Sequence, residues 1–371
     1  MSQPPPPFSC TYSPNVPELL QSLDISLALS TYQAGKVVLI SASDNESLIQ
    51  LPRTFDTAMG IAVAPGRMAI AAKNEVLVLG ASAGLAVGYP GRPKAYDALY
   101  APRASYYTGQ LALHDMAWTG NGLLAVNTLF SCLSLIDDEC SFKPVWQPPF
   151  ITGLVPEDRC HLNGMALNDA GQVEYVTVLA IADTRQGWRE NKMTGGAVLR
   201  VPTGKPVLTG LPMPHSPRLY DGQLYALLSA AGELIRVAPD VGTHEKLVEL
   251  PGFARGMDRC GDYLFIGLSK LRHKGSVFGD LPIAKRSPFA GIVIVYLPRP
   301  SIVGHIRYET SVEEIYDVKV LPGVRRPGIM NTLKDSFRAA LVTPTDTYWA
   351  KDTPSDSVFA DEKKSLSQPP R

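Results

Sequence analysis

Asp158-Arg159-Cys160-His161-Leu162-Asn163-Gly164-Met165-Ala166-Leu167 is the stretch whose reading decides the fold. Gly164-Met165-Ala166-Leu167 is followed by Asn168-Asp169-Ala170-Gly171 and another apolar run, which reads as strand, turn and returning strand. His161 and Asn163 stand two apart, so an extended chain would point both to one side. Related segments recur: Met59-Gly60-Ile61-Ala62-Val63, His114-Asp115-Met116-Ala117-Trp118, Ser216-Pro217-Arg218-Leu219-Tyr220, Arg255-Gly256-Met257-Asp258-Arg259 and Tyr316-Asp317-Val318-Lys319-Val320. Each leads into a glycine-containing turn, and all but the last into a second apolar strand.

These segments start at 59, 114, 163, 216, 255 and 316, a mean spacing of about 51 residues, close to the blade length of kelch-like propellers. Six inner strands predict an all-β, six-bladed β-propeller. The last inner strand has little β-patterned sequence after it, and the apolar runs between 25 and 51 have no inner strand of their own. Joining the two closes the ring and removes two sheet edges. The 39-residue interval from 216 to 255 is short for four strands and their connections. The expected layout is a flexible lead-in over 1–24, a propeller over 25–327, and a short helix with a disordered tail over 328–371.

Composition agrees with this. The chain has 371 residues, 45% of them apolar, with 31 glycines and 32 prolines, many lying between short apolar runs. Lys+Arg and Asp+Glu both number 35, which argues against nucleic acid as the main partner. The five cysteines form no Cys-x-x-Cys pair, so reduced thiols in a cytoplasmic protein are expected. Residues 1–10 lack the apolar core of a signal peptide, and no stretch is long and apolar enough to span a membrane.

The inner strands place Met59, His114, Asn163, Ser216, Arg255 and Tyr316 at one level around the axis, with His161 and Glu314 two residues upstream of their own members. His114, His161 and His215 could form a three-histidine metal site with a divalent ion, although no HExxH spacing supports it; otherwise each satisfies local backbone groups. Alternatively His114 and His161 act as general acid and base, oriented by Asp115 or Asp317. Arg255 suits an anion, or pairs with Asp258 or Asp317. Arg218 and Asn163 join it as candidate substrate contacts. Arg103 and Tyr107, in a loop before His114, are candidates for roofing the funnel; the bland reading is a turn with aromatic packing. Trp188 and Arg189 could hold a flat or anionic ligand or merely cap a blade. Asp158-Arg159 reads as a structural ion pair, residues 271–290 as a lid, and Cys132 as buried in a strand.

Several stretches together resemble a bacterial family of conserved hypothetical proteins with a domain of unknown function. They are Thr31-Tyr32-Gln33-Ala34-Gly35-Lys36, Pro102-Arg103-Ala104-Ser105-Tyr106-Tyr107-Thr108-Gly109, Val126-Asn127-Thr128-Leu129-Phe130-Ser131-Cys132-Leu133, the opening stretch itself and Met213-Pro214-His215-Ser216-Pro217-Arg218. The resemblance covers about residues 25–327 and implies a propeller-like domain without an agreed activity. A more distant similarity, over Asn163-Gly164-Met165-Ala166 and 216–224, is to the gluconolactonase and strictosidine-synthase-like propellers. Lactonases of that group hold a divalent metal at the axis with Glu and Asn/Asp, to which Asn163 and Asp317 correspond in type, whereas the histidines do not.

The resulting expectation is an enzyme acting on a small or peptide-like substrate in the axial funnel by hydrolysis, elimination or isomerisation. The alternative is a non-catalytic propeller that binds a peptide or protein.

Overall fold

The computed structural model describes residues 5–271 and 278–350. Six sheets surround one axis. In the first blade Asp317–Pro322 is innermost, followed outward by Ile25–Thr31, Lys36–Ala42 and Leu48–Thr54. The innermost pair runs from Ser30↔Asp317 to Ile25↔Pro322, so the two ends of the chain close the ring as expected. The inner strands of the other blades are Ile61–Ala64, Leu113–Thr119, Leu162–Leu167, Pro214–Tyr220 and Phe253–Cys260.

The apolar runs lack strict alternation because each blade is packed on both faces. Ile25–Thr31 is buried at every position. Leu27 and Leu29 pack with Ile292 and Ile294 of one neighbouring blade, while Ala28 and Leu39 pack with Ile61 and Met68 of the other. The 39-residue interval holds a complete blade because its connections are tight. Pro214–Tyr220, Gln223–Leu228, Glu233–Ala238 and Thr243–Glu249 are joined by two, four and four residues. The two-residue turn is Asp221-Gly222, both with positive φ, which matches the twist of a hairpin.

Polar stitches link successive blades near the axis. Hydroxyls at or just after the ends of second strands donate to carbonyls in or just before the next inner strand: Thr128 to Leu162 at 2.6 Å, Ser229 to Ala254 at 2.5 Å and Ser269 to Ile315 at 3.0 Å. Ser30 donates to Met59 in the same way. Gly256 lies so close to the next inner strand that an added Cβ would stand 2.7 Å from the Asp317 Cα, so no side chain fits there.

The termini depart from expectation. From Cys10 onward the supposed lead-in is packed: Cys10–Tyr12 adds an outer strand beside Ser301–Tyr308, and the helix Val16–Ser22 buries Val16 and Leu20. At the other end the expected short helix is a single 3-10 turn, Asp335–Ala339, and residues 342–349, expected in the tail, take part in a hairpin. Ala340–Val342 and Thr347–Trp349 form a hairpin whose Trp349 Nε1–H donates to the Leu85 carbonyl at 3.1 Å. The remaining tail, 351–371, lies outside the described residues.

Candidate functional site

The strand registers Leu113↔Asn127, Leu162↔Val178, Pro214↔Leu228 and Ala254↔Leu268 put His114, Asn163, His215 and Arg255 at equivalent axial positions. His215, not Ser216, therefore belongs to this level: the hairpin pairs Thr119↔Gly122 and Tyr220↔Gln223 are equivalent, so the copy that starts at Ser216 is aligned one residue too late. Just before the strands, the chain turns into the axis through left-handed residues: Ala112 (φ 55), Met213 (φ 52) and His161 (φ 49). His161 occupies this turning position, so simple alternation with Asn163 does not apply. The two side chains serve different layers.

One mouth of the axis opens into a pocket of about 550 Å³. His114, His161, Trp188, Arg255 and Tyr316 line it, with Phe253, Leu271 and Phe278 as further apolar wall and Tyr32, Lys73, Arg189 and Lys270 toward its rim. Trp188 is held by the 3-10 turn Gly187–Asn191 and is buried beside Leu281 and Ile283. Part of the proposed lid is thus seated wall; residues 272–277 lie outside the described residues.

The His161 Nδ1–H donates to Asp158 at 2.9 Å, and the same carboxylate accepts the Trp188 indole N–H at 2.8 Å. The ring of His161 lies 4.4 Å from that of Trp188 and 4.8 Å, edge to face, from that of His114. His161 Nε2 is buried and has no hydrogen-bond partner among the described residues. Asp158 does not pair with Arg159, which instead engages Asp183 at 2.7 Å and Glu157 at 2.8 Å.

The other two histidines share one tautomer. His114 Nδ1–H donates to the Ala112 carbonyl at 2.9 Å. His215 Nδ1–H lies 3.0 Å from the Met213 carbonyl and 2.8 Å from the Ser229 hydroxyl oxygen. Each ring therefore carries its free lone pair on Nε2. Burial first, then His161 and Arg255, pushes the His114 pKa well below the ordinary histidine range. Burial and Arg255 do the same to His215. Arg255 lies over the Tyr316 ring at 4.1 Å, with Nη2 3.4 Å from His215 Nε2 and Nη1 3.5 Å from Glu314. Its partner is thus neither Asp258 nor Asp317.

Beneath this layer the axis is closed by a different cluster. Asp115 receives Arg218 Nη1 at 2.7 Å and Nη2 at 3.2 Å, and Lys319 Nζ stands 3.8 Å from Asp115 and 3.3 Å from Asp317. Burial opposes ionisation of Asp115, but Arg218 and Lys319 outweigh it and hold its pKa low; Asp317 is raised by burial. Asp115 and Asp317 therefore orient no histidine, and Arg218 is committed to this cluster. Asn163 is likewise fully used, donating to Pro214 at 3.0 Å and accepting from Thr177 at 2.8 Å.

The metal expectation does not fit. Among the described residues no three His, Cys, Asp or Glu side chains are arranged to hold an ion. His215 Nε2 faces the Arg255 cation, and the lactonase-like pair is spent, Asn163 on Pro214 and Thr177 and Asp317 on the Ile61 amide and Lys319. Neither Arg103 nor Tyr107 is among the residues that line the pocket. Arg103 lies in the outer strand Ala98–Tyr106 and donates to the Ala340 carbonyl at 3.3 Å, while Tyr107 is 82% exposed. Asp158 is the functional candidate that sequence reasoning misassigned; its signal was its three-residue spacing from His161.

A family model described as a domain of unknown function (DUF4915) matches residues 14–330, and the chain belongs to that family. No curated protein matches the sequence. A chain from "Crystal structure of Nidogen/Laminin Complex" is similar in fold, at TM-score 0.53 and 11% identity, over 81% of this chain and 99% of that one. A protein of unknown function from Bacteroides caccae is similar at TM-score 0.49 and 10% identity, over 80% of this chain and 98% of its own. Among the described residues no helix is long and apolar enough to cross a membrane.

Proposed function

We propose that this member of the DUF4915 family is an enzyme acting on a small or peptide-like substrate at the mouth of its axis, by hydrolysis, elimination or isomerisation, with His161 and His114 as acid/base groups. The observation that carries the reading is the Asp158–His161 pair. Asp158 fixes the ring with Nε2 as its basic atom, the arrangement used to orient a general base. That Nε2 is buried without a partner, an uncompensated cost of about 1–3 kcal/mol that a structural histidine avoids. His114 adds a second, neutral imidazole beside it, partly open to the pocket. The five cysteines, none in a disulfide, favour a reducing, cytoplasmic location. Exposed Tyr32 and Arg189 near the rim favour the second reading, a scaffold that captures a peptide.

The test is to incubate purified protein with a small-metabolite extract and follow depletion and new masses. Wild type should convert at least one compound, and His161→Ala should lose that conversion with its melting temperature unchanged or raised. Binding without conversion, together with a lower melting temperature for His161→Ala, would support the scaffold instead.

A further inference from the structure

We infer that the axial pocket takes a monoanionic carboxylate carried on an aromatic or other bulky apolar body. The inference rests on the pocket just assigned and names its substrate class.

Arg255 supplies the anion specificity. It is 93% buried by its 7% exposure, and its Nε has no hydrogen-bond partner among the described residues. Among the described residues its two terminal nitrogens make only long side-chain contacts, 3.4 Å to an imidazole and 3.5 Å to a carboxylate. A buried guanidinium normally has close, charge-assisted partners. Here the guanidinium carbon instead lies over the Tyr316 ring, 4.1 Å from its centroid.

Among the described residues the pocket lining carries four cations, Lys73, Arg189, Arg255 and Lys270, against the carboxylates Asp158 and Glu314. Asp158 is occupied by His161 and Trp188, and the buried, neutral His114 and His215 do not compete with Arg255 for an anion. Lys73, Lys270 and Arg189 are exposed near the pocket and would draw an anion toward it. A single buried guanidinium beside Glu314 matches one negative charge better than the two of a phosphate monoester. The body of the ligand is set by the walls: Trp188, Phe253 and Phe278 form a linked aromatic surface, with Phe253 and Phe278 stacked at 5.4 Å and Trp188 6.3 Å from Phe278. A cavity of about 550 Å³ is far larger than acetate needs.

The probes are 3-phenylpropionate and indole-3-acetate, their primary amides, acetate and inorganic phosphate, each titrated by calorimetry. The expected result is binding of the two aryl carboxylates at least about tenfold tighter than their amides, with acetate and phosphate weak. Arg255→Gln should remove the preference for carboxylate over amide. The wild-type comparison of acid with amide stands even if that variant fails to fold. Equal binding of acid and amide, tighter binding of phosphate, or binding of none of the aryl probes would overturn the inference. The enzyme reading fails separately: His161→Ala should keep the acid preference while losing conversion. Aryl carboxylates that bind while no compound of the metabolite extract is converted leave this inference intact and remove that reading.

Discussion

Asp158 and His161 face each other across three residues of chain, with the His161 Nδ1–H 2.9 Å from the carboxylate, and both carry a φ of 49°. Two non-glycine residues in the left-handed region cost of order 1–3 kcal/mol each. The fold tolerates this where the two side chains meet at the pocket wall, under the indole of Trp188. Asp158→Asn should keep the ring in place but remove the charge that stabilises an imidazolium. Conversion should fall by about 10²–10⁴-fold, with stability changed by no more than about 2 kcal/mol. Paired kinetic and thermal measurements check this, and unchanged turnover would remove Asp158 from the mechanism.

Acid should weaken the fold through the buried histidines. His114 and His215 are held well below their ordinary value of 6.5 in the folded protein. Below that value the unfolded chain therefore binds more protons than the folded one, so stability falls as pH drops and is regained as pH rises toward it. Urea midpoints should decline as the buffer is taken from pH 7 to 5. In the His114→Gln/His215→Gln double variant that decline should be shallower; an identical slope would show that other groups dominate.

Ring closure gives a topological prediction. Deleting residues 1–52 removes the three outer strands paired, directly or in turn, with Asp317–Pro322, and the chain should not fold. Deleting 1–20 should also cost stability, contrary to what its proline-rich composition suggests. It removes the strand Cys10–Tyr12 and the fully buried Val16 and Leu20, together about 3–6 kcal/mol of burial. Chemical denaturation of both truncations decides the matter, and a 1–20 deletion as stable as the full chain would contradict the packing.

The plug beneath the pocket should behave as a buried ion-pair network. Asp115→Asn leaves Arg218 without its charged partner and should cost about 3–5 kcal/mol. Replacing both, as Asp115→Leu with Arg218→Met, should recover a large part of that loss. A double-mutant cycle measures the coupling, and additive effects would mean that the two residues act independently.

The sequence by itself determined the six inner strands, their turns and the way the ring closes. Those features are local: a short apolar run such as Gly164-Met165-Ala166-Leu167 ends in a turn whose residues are visible at once. The unpartnered runs between 25 and 51 left one economical place for the last inner strand. The inner-strand pattern also named His114, His161, Arg255 and Tyr316, which line the pocket, but tertiary structure decided their partners. The hairpin pairing Tyr220↔Gln223, equivalent to Thr119↔Gly122, sets the fourth inner strand one residue from where its sequence copy was aligned, so His215 and not Ser216 reaches the axial level. Asp158 turns to His161 and to Trp188, 30 residues away, because the backbone there is left-handed and Arg159 is drawn off by Asp183. Arg218 closes on Asp115 across 103 residues because the ring brings their strands to one axis. Alternation and composition describe a strand in isolation. Which charged and aromatic side chains meet at an axis depends on bulges, left-handed turns and blade order, and those act only once the ring is closed.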